Sequence, residues 1–289
     1  MHQKITLLGT GLMGFPMSRN IARGGFDLTV WNRSRAKADP LKSEGIMVAP
    51  KPADAVANAD VVISMLSDGD AVLEIARSVR PKSGATWVDM SSTKPAEARA
   101  MAALLGAADV SFLDAPVSGG SKGAEAGTLA IMVGGDQAVL DRVQDVLMTM
   151  GRPTLVGPTG AGQLAKLANQ SIVAVTIAAV AEAMLLLEDG GADPAAVRAA
   201  LKGGFADSTI LQQHGARMTN RDFVPGGLSR LQVKDLDNVL AEAGTLALPT
   251  VQHVRDRFAH YVDVMGGGDR DHSGLFEELL ARNGRTTPV

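Results

Sequence analysis

The feature that most constrains this chain is a glycine run, Gly9-Thr10-Gly11-Leu12-Met13-Gly14, set between an apolar stretch (residues 5–8) and a helix-like stretch. Its spacing is GxGxxG. Gly9 permits a tight turn, Gly11 lets the backbone approach a pyrophosphate, and Gly14 permits close helix packing. The helix that follows faces phosphates with its free N–H groups and the positive end of its dipole. Taken alone, the run is equally a glycine-rich turn. A strand before it, a helix after it and a second strand about 20 residues on favour dinucleotide binding. Gly9, Gly11, Leu12, Met13 and Gly14 are the expected cofactor contacts of this loop.

Beyond the loop, short apolar runs at 28–31, 61–66, 86–90, 110–113 and 129–133 alternate with helix-like stretches such as 95–105 and 137–150. Such alternation marks parallel βαβ units. Several runs are apolar without a period of two, as strands covered on both faces are. After Gly162 the strand signal fades. Residues 163–189 read as one long helix closed by Gly190-Gly191, and Asp193-Pro194 restarts a helix. Further helices are expected at 231–246, 251–265 and 274–283. The fold class that follows is α/β: a doubly wound, Rossmann-type domain (1–162), a long interdomain helix (163–192) and an all-α C-terminal domain (193–289). The long helix is too apolar to stand in water, so it is expected to pack between the domains and against another subunit, giving a homodimer or homotetramer.

The second strand runs into Asn32-Arg33-Ser34-Arg35. A carboxylate at this position accepts a hydrogen bond from the ribose 2′-hydroxyl of NAD. Asn32 removes that charge, and the Arg33 guanidinium can pair with a 2′-phosphate or stack on adenine. NADPH is the expected cofactor, with NADH less preferred; Ser34, Arg35 and Lys37 can add to the pocket. A solvated basic turn is the plainer alternative.

Two stretches carry candidate chemistry. In Asp114-Ala115-Pro116-Val117-Ser118-Gly119-Gly120, a hydroxyl and two unobstructed backbone N–H groups suit a substrate carboxylate, or simply a flexible turn. At the start of the long helix, Lys166, Asn169 and Gln170 stand at i, i+3 and i+4 and share one face. A lysine on so apolar a helix is partly desolvated, which lowers its pKa and suits proton transfer. A lysine snorkelling at a helix end fits the same residues.

Together and in this order, these motifs resemble the β-hydroxyacid dehydrogenase family over nearly the whole chain. The pattern is the glycine-rich loop, then DAPVSGG, then GxGxxxKxxN, then Lys234-Asp235-Leu236. The resemblance implies Lys166 as the catalytic residue and Asn169 as its substrate-orienting neighbour. It implies Ser118, Gly119 and Gly120 as the carboxylate site, with Gln170 beside them. Lys234 is implied to reach over the cofactor and substrate, and Leu66 and Ser92 to border the nicotinamide. Residues 166–170, 203–208, 222–226 and 271–273 resemble the tartronate semialdehyde reductase branch, which implies a short 3-oxo acid as substrate. Gly227 and Gln232 depart from that branch near Lys234 and leave pocket size open. The alternatives are 3-hydroxyisobutyrate dehydrogenase, a glyoxylate or succinic semialdehyde reductase, and a nucleotide sensor without turnover.

Composition closes off other classes. There is no cysteine, which excludes thiol catalysis and favours a reducing, cytoplasmic setting. A formal charge of 28 − 31 = −3 argues against nucleic-acid partners. The one membrane-like stretch, 172–187, is short and carries Glu182, so no membrane partner is expected. The five histidines form no i, i+4 ligand pair and there is no GxSxG, which argues against a zinc site and an acyl-transfer nucleophile.

Overall fold

The computed structural model describes residues 3–286, so the first two residues of the expected 1–162 domain and the last three of the expected 193–289 domain lie outside the described residues. The chain divides into two units, one ending at Lys166 and one beginning at Leu167.

The first unit runs β1 (Lys4–Leu8), α1 (Gly14–Arg23), β2 (Asp27–Trp31), β3 (Met47–Val48), α2 (Pro52–Val56), β4 (Val61–Ser64), α3 (Gly69–Ser78), β5 (Thr86–Asp89), α4 (Pro95–Gly106) and β6 (Ser111–Asp114). It continues with β7 (Val117–Ser118), α5 (Gly120–Ala126), β8 (Leu129–Gly134), α6 (Gln137–Met148), β9 (Gly151–Gly157) and the start of α7 (Ala161–Asp189). The strands form one sheet ordered β3-β2-β1-β4-β5-β6-β8-β7, with β9 beside β8. The pairs from β3 through β6 are parallel; β8 runs antiparallel to β6 and β7, and β9 parallel to β8. The order 3-2-1-4-5-6 is that of the dinucleotide-binding fold.

Burial explains why the apolar runs lack alternation. Ile5, Leu7, Val61, Ile63, Val88 and Leu113 belong to one core cluster, while Leu8, Val62, Trp87 and Phe112 belong to another. Successive strand residues point to opposite faces, and here both faces are covered. The six expected strands are present with ends shifted by one or two residues. Three others give little apolar signal: β3 and β7 are two residues long, and β9 carries Pro153 on an edge strand that pairs only with β8. The expected helix at 137–150 ends at Met148, because Gly151 already opens β9.

The second unit contains the rest of α7, then α8 (Pro194–Leu201), α9 (Thr209–Asn220), α10 (Ser229–Ala243), α11 (Pro249–Asp263) and α12 (Leu275–Arg282). Asp193 and Ser208 cap α8 and α9 by accepting from the N–H groups of Ala195 and Leu211. The helix expected at 231–246 stops at Ala243, where Gly244 takes a positive φ of 58°. Ala174, Ile177, Ala181 and Met184 of α7 pack with Leu236, Phe258, Tyr261 and Phe276. The 29-residue α7 is long and apolar enough to cross a membrane by length and composition. One face of it is nevertheless core of the second unit, and Glu182 pairs with Arg257 at 2.7 Å. Buried Arg257 also reaches fully buried Glu278 at 3.1 Å, so the guanidinium answers two carboxylates.

Candidate active site

The glycine loop leaves the carboxyl end of β1 beside the end of β4, the pair at which the strand order reverses. Ligands of open α/β sheets bind at this switch point. The three glycines do different work. A Cβ on Gly9, whose φ is +104°, would lie 2.2 Å from the Met65 carbonyl oxygen and 3.0 Å from Leu66 Cδ2. A Cβ on Gly14 would lie 1.9 Å from the Gly9 carbonyl oxygen. A Cβ on Gly11 would meet nothing within 4 Å. Gly9 and Gly14 are therefore required by the protein's own backbone, whereas Gly11 faces open space, as a pyrophosphate contact must. Met13 precedes α1 without a side-chain cap, and the buried Thr10 hydroxyl has no partner among the described residues. The loop fits a dinucleotide.

At the end of β2, Asn32 is engaged at both ends of its amide. Its Oδ1 accepts from the Thr10 N–H at 3.0 Å, and its Nδ2 donates to the Ser34 carbonyl at 2.8 Å. Asn32 thus ties the basic turn to the glycine loop, a role its spacing did not reveal. Arg33 and Ser34 are exposed, and among the described residues no carboxylate pairs with Arg33. Arg35, in contrast, lies 3.4 Å from Asp39.

A buried polar network gathers the other carboxyl ends of the sheet. Trp87 Nε1 donates to Ser64 Oγ at 2.9 Å, and Ser64 Oγ donates to Asp89 at 2.8 Å. Asp89 also accepts from the Ser91 N–H, and Ser91 Oγ accepts from the Leu66 N–H at 2.9 Å. Burial pushes the Asp89 carboxyl up to about 6, against its bonds to Ser91 and Ser64, with repulsion from Asp114 adding to the rise. Asp114 stands opposite Asp89 in the strand register and caps the start of α7. Its two oxygens accept from the N–H groups of Gly160 at 2.7 Å and Gln163 at 2.9 Å. Burial raises this carboxyl too, opposed by those N–H groups. Lys166, half-buried, lies one turn beyond Gln163. Half-buried Ser92 sits in the loop after β5 that the network holds.

Ser118 ends β7 opposite Ala130 of β8, and Gly119 and Gly120 turn the chain with φ of +138° and +61°. In the second unit, half-buried Asn169 donates from Nδ2 to Gln170 Oε1 at 2.8 Å. Gln170 Nε2 in turn donates to Asp235 at 2.7 Å, and Lys234 Nζ lies 3.4 Å from the same carboxylate. Gln232 Nε2 reaches the Gln170 carbonyl at 3.3 Å. Asp235 and Gln232, which sequence reasoning gave no role, thus hold Gln170 and through it Asn169.

Histidine spacing also missed a pair. His214 and His272, 58 residues apart, face each other with Nε2 atoms 2.7 Å apart, beside Asp271. The Asp271 carboxylate already accepts from Gly226, Gly227 and Ser273 N–H groups and the Ser273 hydroxyl, with Arg217 at 3.3 Å. Its lone pairs are committed within the protein, and the guanidinium repels a cation. Burial holds His214 below its ordinary pKa, with Asp271 pulling the other way.

A doubly wound sheet with a GxGxxG turn at its switch point defines a dinucleotide-binding protein. Two family models match the chain: the NAD-binding domain of 6-phosphogluconate dehydrogenase over residues 4–160, and the NAD-binding domain of NADP-dependent 3-hydroxyisobutyrate dehydrogenase over 160–279. The chain is 42% identical to the 2-hydroxy-3-oxopropionate reductase of Escherichia coli (strain K12), covering 97% of this chain and 99% of that protein. It is 36% identical to a probable 3-hydroxyisobutyrate dehydrogenase of Mycobacterium tuberculosis (strain H37Rv), over 96% and 98% of the two chains. The solved M. tuberculosis 3-hydroxyisobutyrate dehydrogenase with L-serine superposes with a TM-score of 0.88 at 32% identity, over 96% and 99%. The chain belongs to the NAD(P)-dependent β-hydroxyacid dehydrogenases of the 3-hydroxyisobutyrate dehydrogenase type, and it is an oxidoreductase.

Proposed function

We propose that this enzyme is an NADPH-preferring reductase of a short 3-oxo acid such as tartronate semialdehyde, and the dehydrogenase of the matching hydroxy acid in reverse. The observation that carries the reading is the anchoring of the Lys166 helix by Asp114 at the carboxyl edge of the cofactor-binding sheet. The glycine loop and Arg33 would hold the dinucleotide, whose nicotinamide would supply a hydride to the aldehyde carbon, or accept one in the reverse direction. Lys166 gives its proton to the developing alkoxide oxygen, and neutral Lys166 takes that proton back during oxidation. Asn169 orients the substrate oxygen and stabilises the charge that grows on it. Ser118, Gly119 and Gly120 receive the carboxylate. The L-serine of the M. tuberculosis structure, itself a short carboxylate with a β-hydroxyl, supports this substrate class. Similarity to that protein also favours 3-hydroxyisobutyrate as a second substrate reading.

Turnover with tartronate, succinic and methylmalonate semialdehydes and glyoxylate, each with NADPH and NADH, tests the proposal. Tartronate semialdehyde with NADPH is expected to give the highest kcat/KM; no turnover with any of the four contradicts it. Arg33→Ala is expected to raise the NADPH KM at least about tenfold, the loss of one charge-assisted phosphate pair, and to leave the NADH KM nearly unchanged. Equal losses with both cofactors remove the phosphate-pairing argument.

A cytoplasmic homodimer or homotetramer completes the proposal. The cysteine-free sequence supports the reducing compartment, and Ile172 and Leu186 of α7, 67% and 73% exposed, support self-association. Sedimentation at micromolar concentration is expected to show no monomer; a monomer overturns this part.

A further inference from the structure

Gln163 is fully buried in the first turn of α7, yet it carries a polar side chain with no charge to neutralise. Both ends of its amide are used, and both on one loop. Oε1 accepts from the Thr93 N–H at 3.0 Å, and Nε2 donates to the Ser91 carbonyl at 2.8 Å. The side chain therefore straddles Ser92, while its own backbone N–H donates to Asp114 at 2.9 Å. Ser91 in turn receives the Leu66 N–H and donates its own N–H to Asp89. Leu66, Ser92 and the turn preceding Lys166 are thus hung on one set of buried hydrogen bonds, and within that set the Gln163 side chain joins α7 to the loop after β5.

We infer that Gln163 is a positioning residue for Lys166, fixing the rotation and depth of the first turn of α7 against the loop that carries Ser92. The inference rests on the reading of Lys166 as the general acid and base. Asp114 grips the start of α7 only through backbone N–H groups and only from β6. The Asp114 cap holds the backbone, and the Gln163 amide supplies a second, directional attachment with one donor and one acceptor. Misplacement of a proton donor by about 1 Å is enough to cost about 10²-fold in rate without loss of ligand binding.

The donor–acceptor polarity gives a sharp test in Gln163→Glu. When protonated, the new carboxyl reproduces the amide: its carbonyl accepts from Thr93 and its hydroxyl donates to Ser91. When ionised, it offers two acceptors and faces the Ser91 carbonyl without a proton. Burial raises the carboxyl pKa, which brings the change into the working range. For Gln163→Glu, the reductive kcat relative to wild type is expected to fall at least about tenfold between about pH 6 and about pH 8.5, with the NADPH dissociation constant within about twofold throughout. Gln163→Leu is expected to stay low at every pH, with the kcat loss again exceeding any change in cofactor affinity. Lys166→Ala is measured beside them. If it loses activity while both Gln163 variants keep wild-type kcat at all pH values, the positioning role is overturned and the reading of Lys166 stands. If Lys166→Ala remains active, both fall. A pH-independent loss in Gln163→Glu, matched in kcat and cofactor binding, marks a structural residue and also overturns the inference. Should Gln163→Leu fail to fold, the pH dependence of Gln163→Glu decides alone.

Discussion

Lys166→Ala is expected to lower turnover by about 10²–10⁴-fold, the contribution of a positioned proton donor. The same variant is expected to bind NADPH within about twofold of wild type, since the glycine loop and Arg33 do not depend on a side chain in α7. Steady-state kinetics with cofactor titration reads both. Lys166→Arg separates charge from proton transfer. The guanidinium keeps a positive charge beside the alkoxide but stays protonated at any working pH, so it cannot act as a base. A group that never gives up its proton cannot donate one either, so comparable losses of kcat/KM are expected in the reductive and oxidative directions. More than about a tenth of wild-type activity in Lys166→Ala contradicts the assignment and leaves Lys166 a snorkelling helix-end lysine.

The second large effect separates glycines that serve the fold from one that serves the ligand. In Gly14→Ala the new methyl would lie 1.9 Å from the Gly9 carbonyl oxygen, a backbone atom of the turn between β1 and α1. The loop must distort, at a cost of roughly 3 kcal/mol or more, and cofactor affinity falls with it. In Gly11→Ala the methyl meets nothing within 4 Å, so thermal stability is expected to stay within about 0.5 kcal/mol of wild type. Cofactor binding is nevertheless expected to weaken at least about tenfold, because the methyl occupies the space through which the backbone approaches the pyrophosphate. Melting curves and cofactor titrations on both variants check this. A stable Gly14→Ala, or a Gly11→Ala with unchanged affinity, contradicts the division of roles.

The features of this fold that are legible in the sequence are those set by local physics. The strands at 5–8, 61–66 and 86–90 stand out because both faces of the sheet are covered, so that apolar residues follow one another and even Thr6, Ser64, Thr86 and Asp89 are buried. The edge strand β9 does not, since Gly151 and Pro153 interrupt its pattern and only its partner β8 makes the pairing possible. Helix α9 is equally quiet: its sequence is polar and carries Gly215, where a Cβ would approach Arg198 Cδ to 2.9 Å. The glycine loop is legible because its spacing is complete within six residues, although the Met65 carbonyl that leaves no room for a Cβ on Gly9 comes from the end of β4. The sequence shows Asn32 as a missing carboxylate, but its bonds to Thr10 and Ser34 depend on where two loops meet. In sequence Gln163 is one residue of a helix start, and His214 and His272 are two scattered histidines. A partner 58 or 70 residues away leaves no trace in spacing.

If a hydride passes between NADPH and the carbonyl carbon of a short 3-oxo acid while Lys166 supplies the proton, a label at the transferable C4 position of the cofactor must reach the product carbon. NADPH deuterated at that position is reacted with tartronate semialdehyde and the product is followed by mass spectrometry. The wild-type enzyme is expected to form a hydroxy acid one mass unit heavier, with deuterium bound to carbon. Lys166→Ala is expected to form the same labelled product at least about a hundredfold more slowly. Deuterium that never reaches the product carbon rules out the hydride transfer, and labelling at an undiminished rate in Lys166→Ala rules out Lys166 as the proton donor.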